Sequence, residues 1–269
     1  MKETIQQYAL FGNPVGHSLS PLMHNAAFGA LGIRAIYEAH CVENLDLSVR
    51  MIREKPLAGV SVTLPVKGAV MAFLDEMDDD ARTIGAVNTI VNKDGRLRGS
   101  NTDWIGLTTA MEENFPLEGK TIAVLGAGGA ARAAVYGILK KRGIPIVFNR
   151  SRDRAESLAR WFACEARPLA SLGTTDAEVL VNATPAGMSP MIDETPVDQR
   201  HLHRFRWVVD TIYNPLETRL LREAKAAGCG VISGLSMFVR QGAEQIRIWT
   251  GLEPPVELMT RVVKTALEK

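Results

Sequence analysis

Three small residues, Gly126, Gly128 and Ala131, have the spacing of a phosphate-binding turn. The first permits a tight turn, the second lets the backbone approach a pyrophosphate, and the third allows a helix to pack closely on a strand. An apolar run precedes the turn, and a helical pattern follows it. The helix N-terminus would offer unpaired N–H groups and a positive dipole end to phosphates. This pattern predicts a βαβ unit that binds a dinucleotide pyrophosphate.

The residues after the second strand of this unit indicate which dinucleotide binds. NAD sites usually carry an acidic residue there, which bonds the ribose 2′-OH. This chain instead reads Asn149-Arg150-Ser151-Arg152-Asp153-Arg154. An uncharged Asn149 does not repel a 2′-phosphate, and arginines pair with phosphate in a forked geometry. The segment therefore favours NADP over NAD, and the plainer alternative is a solvated helix start.

Four other polar residues could serve either structure or chemistry. Ser18 and Ser20 precede a predicted helix, so Ser20 can be its N-cap, or the two hydroxyls can form a site for a small carboxylate. The local pattern alone favours the cap. Lys67 begins a predicted helix, where a cation is unfavourable for the helix dipole. Asp103 begins another, where simple capping is common.

Alternating strand and helix patterns must position these residues. The predicted strands are 8–11, 36–41, 59–63, 85–91, 96–99, 121–125, 145–148, 179–182, 207–212 and 230–232. The predicted helices are 21–31, 44–53, 75–82, 103–114, 151–163, 216–227, 236–250 and one from 255, besides the helix after the glycine turn, for which Gly143 is the predicted C-cap glycine. This alternation is the doubly wound pattern of an α/β protein.

Two domains follow from the order of these elements. We expect residues 1–103, completed by C-terminal helices within 236–269, to form an α/β substrate-binding and catalytic domain. Residues 104–235 would form a Rossmann-like, doubly wound NADP domain. The reaction would then take place in the cleft between the domains, a usual place for ligands.

Composition excludes several classes of function. The 269 residues have a net charge of +1, so nothing suggests nucleic acid or an anionic membrane as a partner. No apolar run reaches membrane-spanning length, and the N-terminus lacks the features of a signal peptide. The three cysteines are widely spaced and resemble free thiols in a reducing compartment, so we expect a cytoplasmic protein. No metal-ligand pattern is present, because His201 and His203 lie in a polar loop.

Nine segments together resemble shikimate dehydrogenases over the whole length of the chain. They are FGNPVGHSLSPLMHN (11–25), SVTLPVK (61–67), GAVNTIV (85–91), SNTDWIG (100–106), GAGGAARA (126–133), NRSRDRA (149–155), NATPAGM (182–188), DTIYNPLETRLL (210–221) and MFVRQGAEQ (237–245). The tail and the SVT motif look closest to the plant-type branch of the family. Two positions depart from the usual pattern: Ser61, where many relatives have Asn, and Thr184-Pro185, where Thr-Ser is more usual.

The resemblance implies roles for the matching positions. Lys67 and Asp103 would be the catalytic pair and would also contact the substrate. Ser18 and Ser20 would hold the substrate carboxylate, so the anion site replaces the simple cap as the favoured interpretation. The other substrate positions are Thr63, Asn88 and Gln241 for ring hydroxyls and Tyr213 near the carboxylate. The NADP positions are Gly126, Ala127, Gly128, Gly129 and Ala130 for the pyrophosphate, Asn149, Arg150, Ser151 and Arg154 for the ribose phosphate, Thr211, Gly234 and Asp79 near the nicotinamide, and Thr184.

The family's reaction is the reversible NADPH-dependent reduction of 3-dehydroshikimate to shikimate, a step of chorismate and aromatic amino-acid biosynthesis. The implied partners are therefore small molecules, and either a monomer or a homodimer is compatible with the sequence. Two alternatives stay open. One is a dual quinate/shikimate dehydrogenase that could use NAD. The arginines between positions 150 and 154 argue against the use of NAD. The other is a non-catalytic NADP-binding regulatory module, against which Lys67 and Asp103 argue.

Overall fold

The computed structural model describes residues 5–55 and 57–268. The chain divides into two compact units. Unit 1 comprises Met1–Thr102 and Gln241–Lys269, and unit 2 comprises Asp103–Arg240. The N-terminal segment that we predict not to be a signal peptide begins with residues 1–4, which lie outside the described residues.

Unit 1 contains a six-stranded mixed sheet. Its elements are β1 (Gln6–Gly12), α1 (Ser20–Ala30), β2 (Ala35–Cys41), α2 (Leu45–Glu54), β3 (Leu57–Val62), a 3₁₀ helix (Ala69–Phe73), β4 (Glu76–Met77), α3 (Asp79–Ile84), β5 (Thr89–Lys93) and β6 (Arg96–Ser100). The strand order is β2-β1-β3-β5-β6-β4. Strands β1, β2 and β3 are parallel, whereas β5 runs antiparallel to both β3 and β6.

Three predictions about unit 1 are wrong in detail. The segment predicted as one helix at 75–82 contains the short strand β4 before α3. The helix begins only after Asp78, because the Asp78 side chain caps it by accepting from the Ala81 N–H. The strand predicted from Gly85 starts only at Thr89, because Gly85 has a left-handed backbone that ends α3. Helix α1 begins at Ser20 itself, so Ser20 is not its N-cap.

Unit 2 contains a six-stranded sheet in which every pair is parallel. Its elements are α4 (Asp103–Glu112), β7 (Thr121–Leu125), α5 (Gly129–Lys140), β8 (Ile144–Asn149), α6 (Arg152–Phe162), β9 (Glu165–Pro168), 3₁₀ helices at Leu169–Thr174 and Gln199–Arg204, β10 (Val179–Asn182), β11 (Trp207–Asp210), α7 (Arg219–Ala226) and β12 (Gly230–Ile232). Helix α8 (Gly234–Thr250) continues from unit 2 into unit 1, and α9 (Val256–Leu267) follows.

The strand order of unit 2, β12-β11-β10-β7-β8-β9, reverses direction between β7 and β10. This is the doubly wound arrangement, in which ligands bind beyond the carboxyl ends of the strands at the reversal point. The central strands β7 and β10 are almost entirely buried, as strands covered by helices on both faces must be. The predicted fold class is therefore confirmed.

The end of α5 differs from the prediction that Gly143 is the C-cap glycine. The left-handed residue is Arg142, with φ 59°. Gly143 is required for space instead, because a Cβ there would lie 2.8 Å from Ile138 Cγ2 and 3.1 Å from the Leu117 carbonyl oxygen. Of the helices that the structure describes, none is long and apolar enough to cross a membrane.

Candidate active site

The glycine turn lies at the reversal point of the unit 2 sheet. Gly126 follows β7 with φ +116°, a conformation that side chains rarely adopt. Its N–H donates to the Phe148 carbonyl at 2.8 Å. A Cβ at this position would lie 2.8 Å from the Ala183 carbonyl oxygen. Both the backbone angle and the neighbouring strand end therefore require glycine.

Gly128 has a different reason for being glycine. Its backbone is extended, with φ −90° and ψ −169°, and a Cβ there would meet no atom within 4 Å. The residue is exposed and precedes α5, and among the described residues no side chain caps this helix. The first N–H groups of α5 thus face open space, which fits an approaching pyrophosphate. Ala131, one turn further, is fully buried.

The residues after β8 fit the predicted phosphate group. Arg150 and Arg154 are exposed, and across residues 5–55 and 57–268 neither forms a salt bridge with a carboxylate. Arg152, between them, instead pairs with Glu156 at 2.7 Å. The side chain of Asn149 donates to the Ser151 carbonyl at 3.0 Å, which holds the start of α6 in place. In the part of the chain that the structure describes, the guanidinium groups of Arg150 and Arg154 are therefore exposed and have no carboxylate partner, as the predicted 2′-phosphate site requires.

The remaining predicted cofactor positions of unit 2 come together at the neighbouring strand ends. The Thr211 N–H donates to the Asn182 carbonyl at 3.0 Å, and the Gly234 N–H donates to the Ile212 carbonyl at 3.1 Å. A Cβ on Gly234 would lie 2.4 Å from Ile212 and 2.6 Å from Thr211, so only glycine permits this approach. Thr184 adjoins the turn, since its methyl group lies 3.4 Å from a Cβ built on Gly126.

Tyr213 lies in the same loop region of unit 2. Its ring stacks on Phe238 of α8 with a centroid distance of 4.0 Å. The other nicotinamide candidate, Asp79, is the exposed first residue of α3 in unit 1.

In unit 1, the two serines lie together at the start of α1. Ser18 Oγ donates to Ser20 Oγ at 3.1 Å and accepts from the Ser20 N–H at 3.2 Å. The N-cap residue is Leu19, which has no capping side chain. Ser20 therefore does not cap α1 as the local pattern predicts, and the two adjacent hydroxyls at the first turn of the helix fit a carboxylate.

Lys67 lies in the turn between β3 and the 3₁₀ helix, and not at a helix start as predicted, because that helix begins only at Ala69. Its carbonyl accepts from the Val87 N–H at 2.9 Å. Thr63 is anchored by its own N–H, which donates to the Phe11 carbonyl at 2.8 Å. These backbone bonds hold the end of β3 beside the segment that leads into Asn88.

Asn88 belongs to a buried network that we call the amide cluster: Ser61, Asn88, Thr89, Thr102, Gln241 and Gln245. Asn88 Oδ1 accepts from Thr89 Oγ1 at 2.7 Å and from the Thr102 N–H at 2.8 Å. Its Nδ2 donates to Thr102 Oγ1 at 2.9 Å and approaches Gln241 Oε1 at 3.4 Å. These bonds fix which end of the Asn88 amide is oxygen and which is nitrogen.

Gln245 links three other members of the amide cluster through its side-chain amide. Its Nε2 donates to the Asn88 carbonyl at 3.0 Å and to Thr89 Oγ1 at 3.1 Å, and its Oε1 accepts from Ser61 Oγ at 2.8 Å. Ser61 Oγ in turn accepts from Tyr37 Oη at 2.6 Å. Asp103 is 4% exposed and begins α4. It directly follows Thr102, which the amide cluster holds in place.

Two buried groups have strongly shifted pKa values. Burial lowers the pKa of His24 to about 4. The His24 Nδ1 lies 2.9 Å from the Ser20 carbonyl oxygen, and the ring stacks on Tyr37. Within the described chain its Nε2 has no hydrogen-bond partner, although the nearby Gln245 side chain opposes the lowering of the pKa. Burial also raises the pKa of Asp210 to about 6, against the opposing effect of hydrogen bonds from its neighbours.

Comparison with known proteins identifies the family. Three family models match: the shikimate dehydrogenase substrate binding domain at residues 10–90, shikimate / quinate 5-dehydrogenase at 109–215, and the shikimate 5′-dehydrogenase C-terminal domain at 234–264. A shikimate dehydrogenase (NADP(+)) of Pyrococcus abyssi is 45% identical over 264 residues, which cover 97% of this chain and 98% of the relative. The chain belongs to the shikimate dehydrogenase family.

Solved structures of this family agree with the fold. A shikimate dehydrogenase in complex with NADP+ has a TM-score of 0.93 at 40% identity, covering 98% of this chain and 96% of the other. A shikimate 5-dehydrogenase from Thermus thermophilus, in complex with NADP(H) and shikimate, has a TM-score of 0.90 at 40% identity, covering 97% of this chain and 100% of the other. The predicted family membership is thus confirmed, whereas the likeness of the tail to the plant-type branch stays a prediction.

Sequence reasoning missed three residues that organise these shikimate dehydrogenase motifs. Thr102 and Gln245 belong to the amide cluster, and Asp210 ends β11. A signal for each was present: Gln245 is one helical turn after Gln241, Thr102 precedes Asp103, and Asp210 is a charged residue at the end of a buried strand. None of these signals is specific enough to stand without the contacts.

Proposed function

We propose that this protein is an NADP-dependent shikimate dehydrogenase that catalyses the reversible reduction of 3-dehydroshikimate to shikimate. The observation that carries the proposal is a combination of three features in one chain of this family. They are an open turn at Gly128, two exposed arginines after β8, and a polar site on Ser18, Ser20 and the amide cluster. The first two suit NADP, and the third suits a small polyhydroxylated carboxylate.

The residues that would hold NADP fit its parts. The first N–H groups of α5 face the pyrophosphate through the open space at Gly128. Arg150 and Arg154 supply forked donors for the 2′-phosphate. Thr211 and Gly234, whose backbones are closely packed, would adjoin the nicotinamide. NADPH, when bound, supplies the hydride that reduces the carbonyl carbon.

The substrate is held, in this proposal, by groups of unit 1. The hydroxyls of Ser18 and Ser20 bind the carboxylate. Thr63, Asn88 and Gln241 hydrogen-bond ring hydroxyls. Because the amide cluster fixes the Asn88 amide, the pattern of donors and acceptors offered to the ring is set before substrate binds.

Lys67 is the proton donor to the carbonyl oxygen of 3-dehydroshikimate. Its ammonium group stabilises the negative charge that develops on this oxygen and then transfers a proton to it. In the reverse direction the amine accepts the proton of the C3 hydroxyl. Asp103, at the start of α4, is assigned on the family resemblance to orient Lys67 and to bond the adjacent hydroxyl.

The test is to follow nicotinamide reduction by the purified protein with shikimate or quinate, each with NADP+ and NAD+. We expect turnover with shikimate and a kcat/KM for NADP+ at least about 10-fold above that for NAD+, because NAD+ leaves both arginines unpaired. Comparable turnover of quinate would instead support the dual enzyme. Tight NADP+ binding without turnover of either substrate would support the regulatory module.

A further inference from the structure

Asp210 is a buried carboxylate to which the proposed chemistry gives no role. It is the last residue of β11, and its relative exposure is 0%. Within the described chain it forms no salt bridge, and its acceptors are satisfied by neutral donors alone. Burying an unpaired carboxylate is costly, since desolvation disfavours its charge. The hydrogen bonds that Asp210 accepts show which groups it holds in place.

The first oxygen of Asp210 connects two strand ends. Oδ1 accepts from Asn182 Nδ2 at 3.1 Å and from the Ile212 N–H at 3.0 Å. Asn182 is the last residue of β10 and lies opposite Asp210 in the sheet register. One oxygen thus bridges the end of β10 to the loop after β11, on the cofactor side of the sheet.

Both bonds lead to predicted cofactor residues. Asn182 Oδ1 accepts from the N–H of Thr184 at 3.0 Å and from its Oγ1 at 2.7 Å, and Asn182 thereby shapes the loop after β10. The Ile212 carbonyl accepts from the Gly234 N–H, which fixes the start of α8. Thr211 lies between Asp210 and Ile212 in the chain, so its backbone is held from both sides.

The second oxygen has a separate task. Oδ2 accepts from Thr218 Oγ1 at 2.7 Å, and the same hydroxyl caps α7 by accepting from the Leu221 N–H at 3.3 Å. Thr218 is fully buried. The Oδ2 bond therefore serves helix α7, whereas the Oδ1 bonds serve the two loops. This division makes the structural and functional contributions of one carboxylate separable by mutation.

We propose that Asp210 is a positioning residue that holds Thr184, Thr211 and Gly234 in register for the nicotinamide half of the cofactor. The inference rests on the proposed function for the identity of the cofactor. It adds that the nicotinamide half is positioned by a carboxylate hub, independently of the arginines that take the adenosine phosphate. A purely structural role would weaken binding of all parts of the cofactor together.

The experiment compares two ligands on each variant: NADP+, and adenosine 2′,5′-bisphosphate, which retains the adenosine and 2′-phosphate but lacks the nicotinamide. Dissociation constants are measured by calorimetry, and kcat is measured with shikimate. For Asp210→Ala we expect kcat to fall about 10- to 100-fold, the scale of a small misplacement of reacting groups. NADP+ should bind several-fold more weakly, while the bisphosphate fragment binds within about twofold of wild type.

Two variants serve as controls. Asp210→Asn keeps an oxygen for Asn182 and Ile212 and can donate to Thr218 Oγ1, so it should restore kcat to within about fivefold of wild type. Thr218→Val removes the Oδ2 bond together with the side-chain cap of α7, and it leaves both Oδ1 bonds in place. It should lower the melting temperature but leave kcat within about threefold. If Asp210→Ala does not fold, Asn182→Ala, which breaks the link to Thr184, takes its place with the same expected pattern.

Equal weakening of NADP+ and the fragment, or wild-type kcat in a folded Asp210→Ala protein, would overturn the proposal. So would a loss of kcat in Thr218→Val as large as that in Asp210→Ala. If the wild-type protein itself does not oxidise shikimate, the proposed function fails. The difference between NADP+ and fragment binding then still decides the role of Asp210.

Discussion

The proposed substrate residues of unit 1 and the proposed cofactor residues of unit 2 are organised by different physical means. In unit 1, side chains hydrogen-bond to side chains: the amide cluster links Ser61 of β3 to Gln245 of α8 across 184 positions. In unit 2, the phosphate turn offers backbone N–H groups, and exposed arginines supply charge. Substitutions of the proposed substrate residues in unit 1 should therefore affect turnover, and substitutions of the phosphate turn and of the arginines in unit 2 should affect cofactor affinity.

The largest expected effect is that of Lys67→Ala. We expect kcat to fall about 10²-fold or more, because the substitution removes the proposed proton donor to the carbonyl oxygen. KM for NADP+ should change little, since the cofactor residues are untouched. Steady-state kinetics with shikimate measures both constants. Lys93→Ala, an exposed lysine of β5, is the matched control and should behave as wild type. A near-normal kcat with only KM for shikimate raised would make Lys67 a binding residue.

A pair of glycine substitutions separates folding from phosphate binding within the turn. Gly126→Ala should destabilise the protein by about 2–4 kcal/mol, because φ is +116° and the new Cβ would overlap the Ala183 carbonyl. Gly128→Ala should leave thermal stability nearly unchanged, because its backbone is extended and its surroundings are open.

Cofactor binding should be affected most in Gly128→Ala, the variant whose stability is nearly unchanged. In Gly128→Ala the added methyl group would stand where we propose that the pyrophosphate approaches, so we expect NADP+ to bind about 10-fold or more weakly. Calorimetry gives unfolding and binding for both variants. Unchanged NADP+ affinity in Gly128→Ala would remove the turn from the cofactor site, and unchanged stability in Gly126→Ala would contradict the steric argument.

The arginines test whether charge in unit 2 selects the phosphate. Removing both Arg150 and Arg154 should raise KM for NADP+ about 10- to 30-fold and leave KM for NAD+ unchanged, because only NADP+ carries the 2′-phosphate. Arg152→Ala is the control, since its guanidinium already pairs with Glu156. Equal increases for both dinucleotides, or a larger effect of Arg152→Ala, would count against the assignment.

The smallest effects concern stability against pH, and they have opposite signs in the two regions. The pKa of His24 in unit 1 is lowered to about 4, so its contribution is complete above the unfolded value of 6.5 and is lost as pH falls towards 4. The pKa of Asp210 in unit 2 is raised to about 6, so its contribution is complete below 3.8 and is lost as pH rises through 6.

Unfolding in denaturant between pH 4 and pH 7 measures these contributions. Relative to wild type, His24→Gln should lose the fall in stability on acidification, and Asp210→Asn should lose the fall in stability on raising the pH, each amounting to about 2–3 kcal/mol. Parallel curves for wild type and a variant would show that the replaced group does not titrate differently in the folded protein.

Most of the fold could be predicted from the sequence, because its signals are local. Strands 121–125, 179–182 and 230–232 agree with β7, β10 and β12 to the residue. The errors have local causes too: Asp78 caps α3 within the predicted helix 75–82, and Arg142 adopts the left-handed angle that we expected of Gly143. The prediction that Ser20 is the N-cap of α1 is wrong because the helix begins one residue earlier, with Leu19 as an N-cap residue that has no capping side chain.

The candidate site was predictable only residue by residue. The hydroxyls of Ser18 and Ser20 are close together because only Leu19 lies between these residues in the chain. The bonds that orient Asn88 were not predictable, because they come from Thr102, 14 positions away, and from a helix more than 150 positions away. The contact between Asn182 and Asp210 depends likewise on the register of two parallel strands.

The sequence by itself determined the phosphate turn, the charge that follows it and the family to which the chain belongs. These depend on backbone angles and side-chain types over a few neighbouring residues. Only the tertiary structure decided which groups orient the other proposed site residues: the members of the amide cluster that hold the Asn88 side chain, and Asp210 between the ends of β10 and β11. The physical reason is that a hydrogen bond requires atoms about 3 Å apart, and strand register and helix packing bring such atoms together from distant parts of the chain.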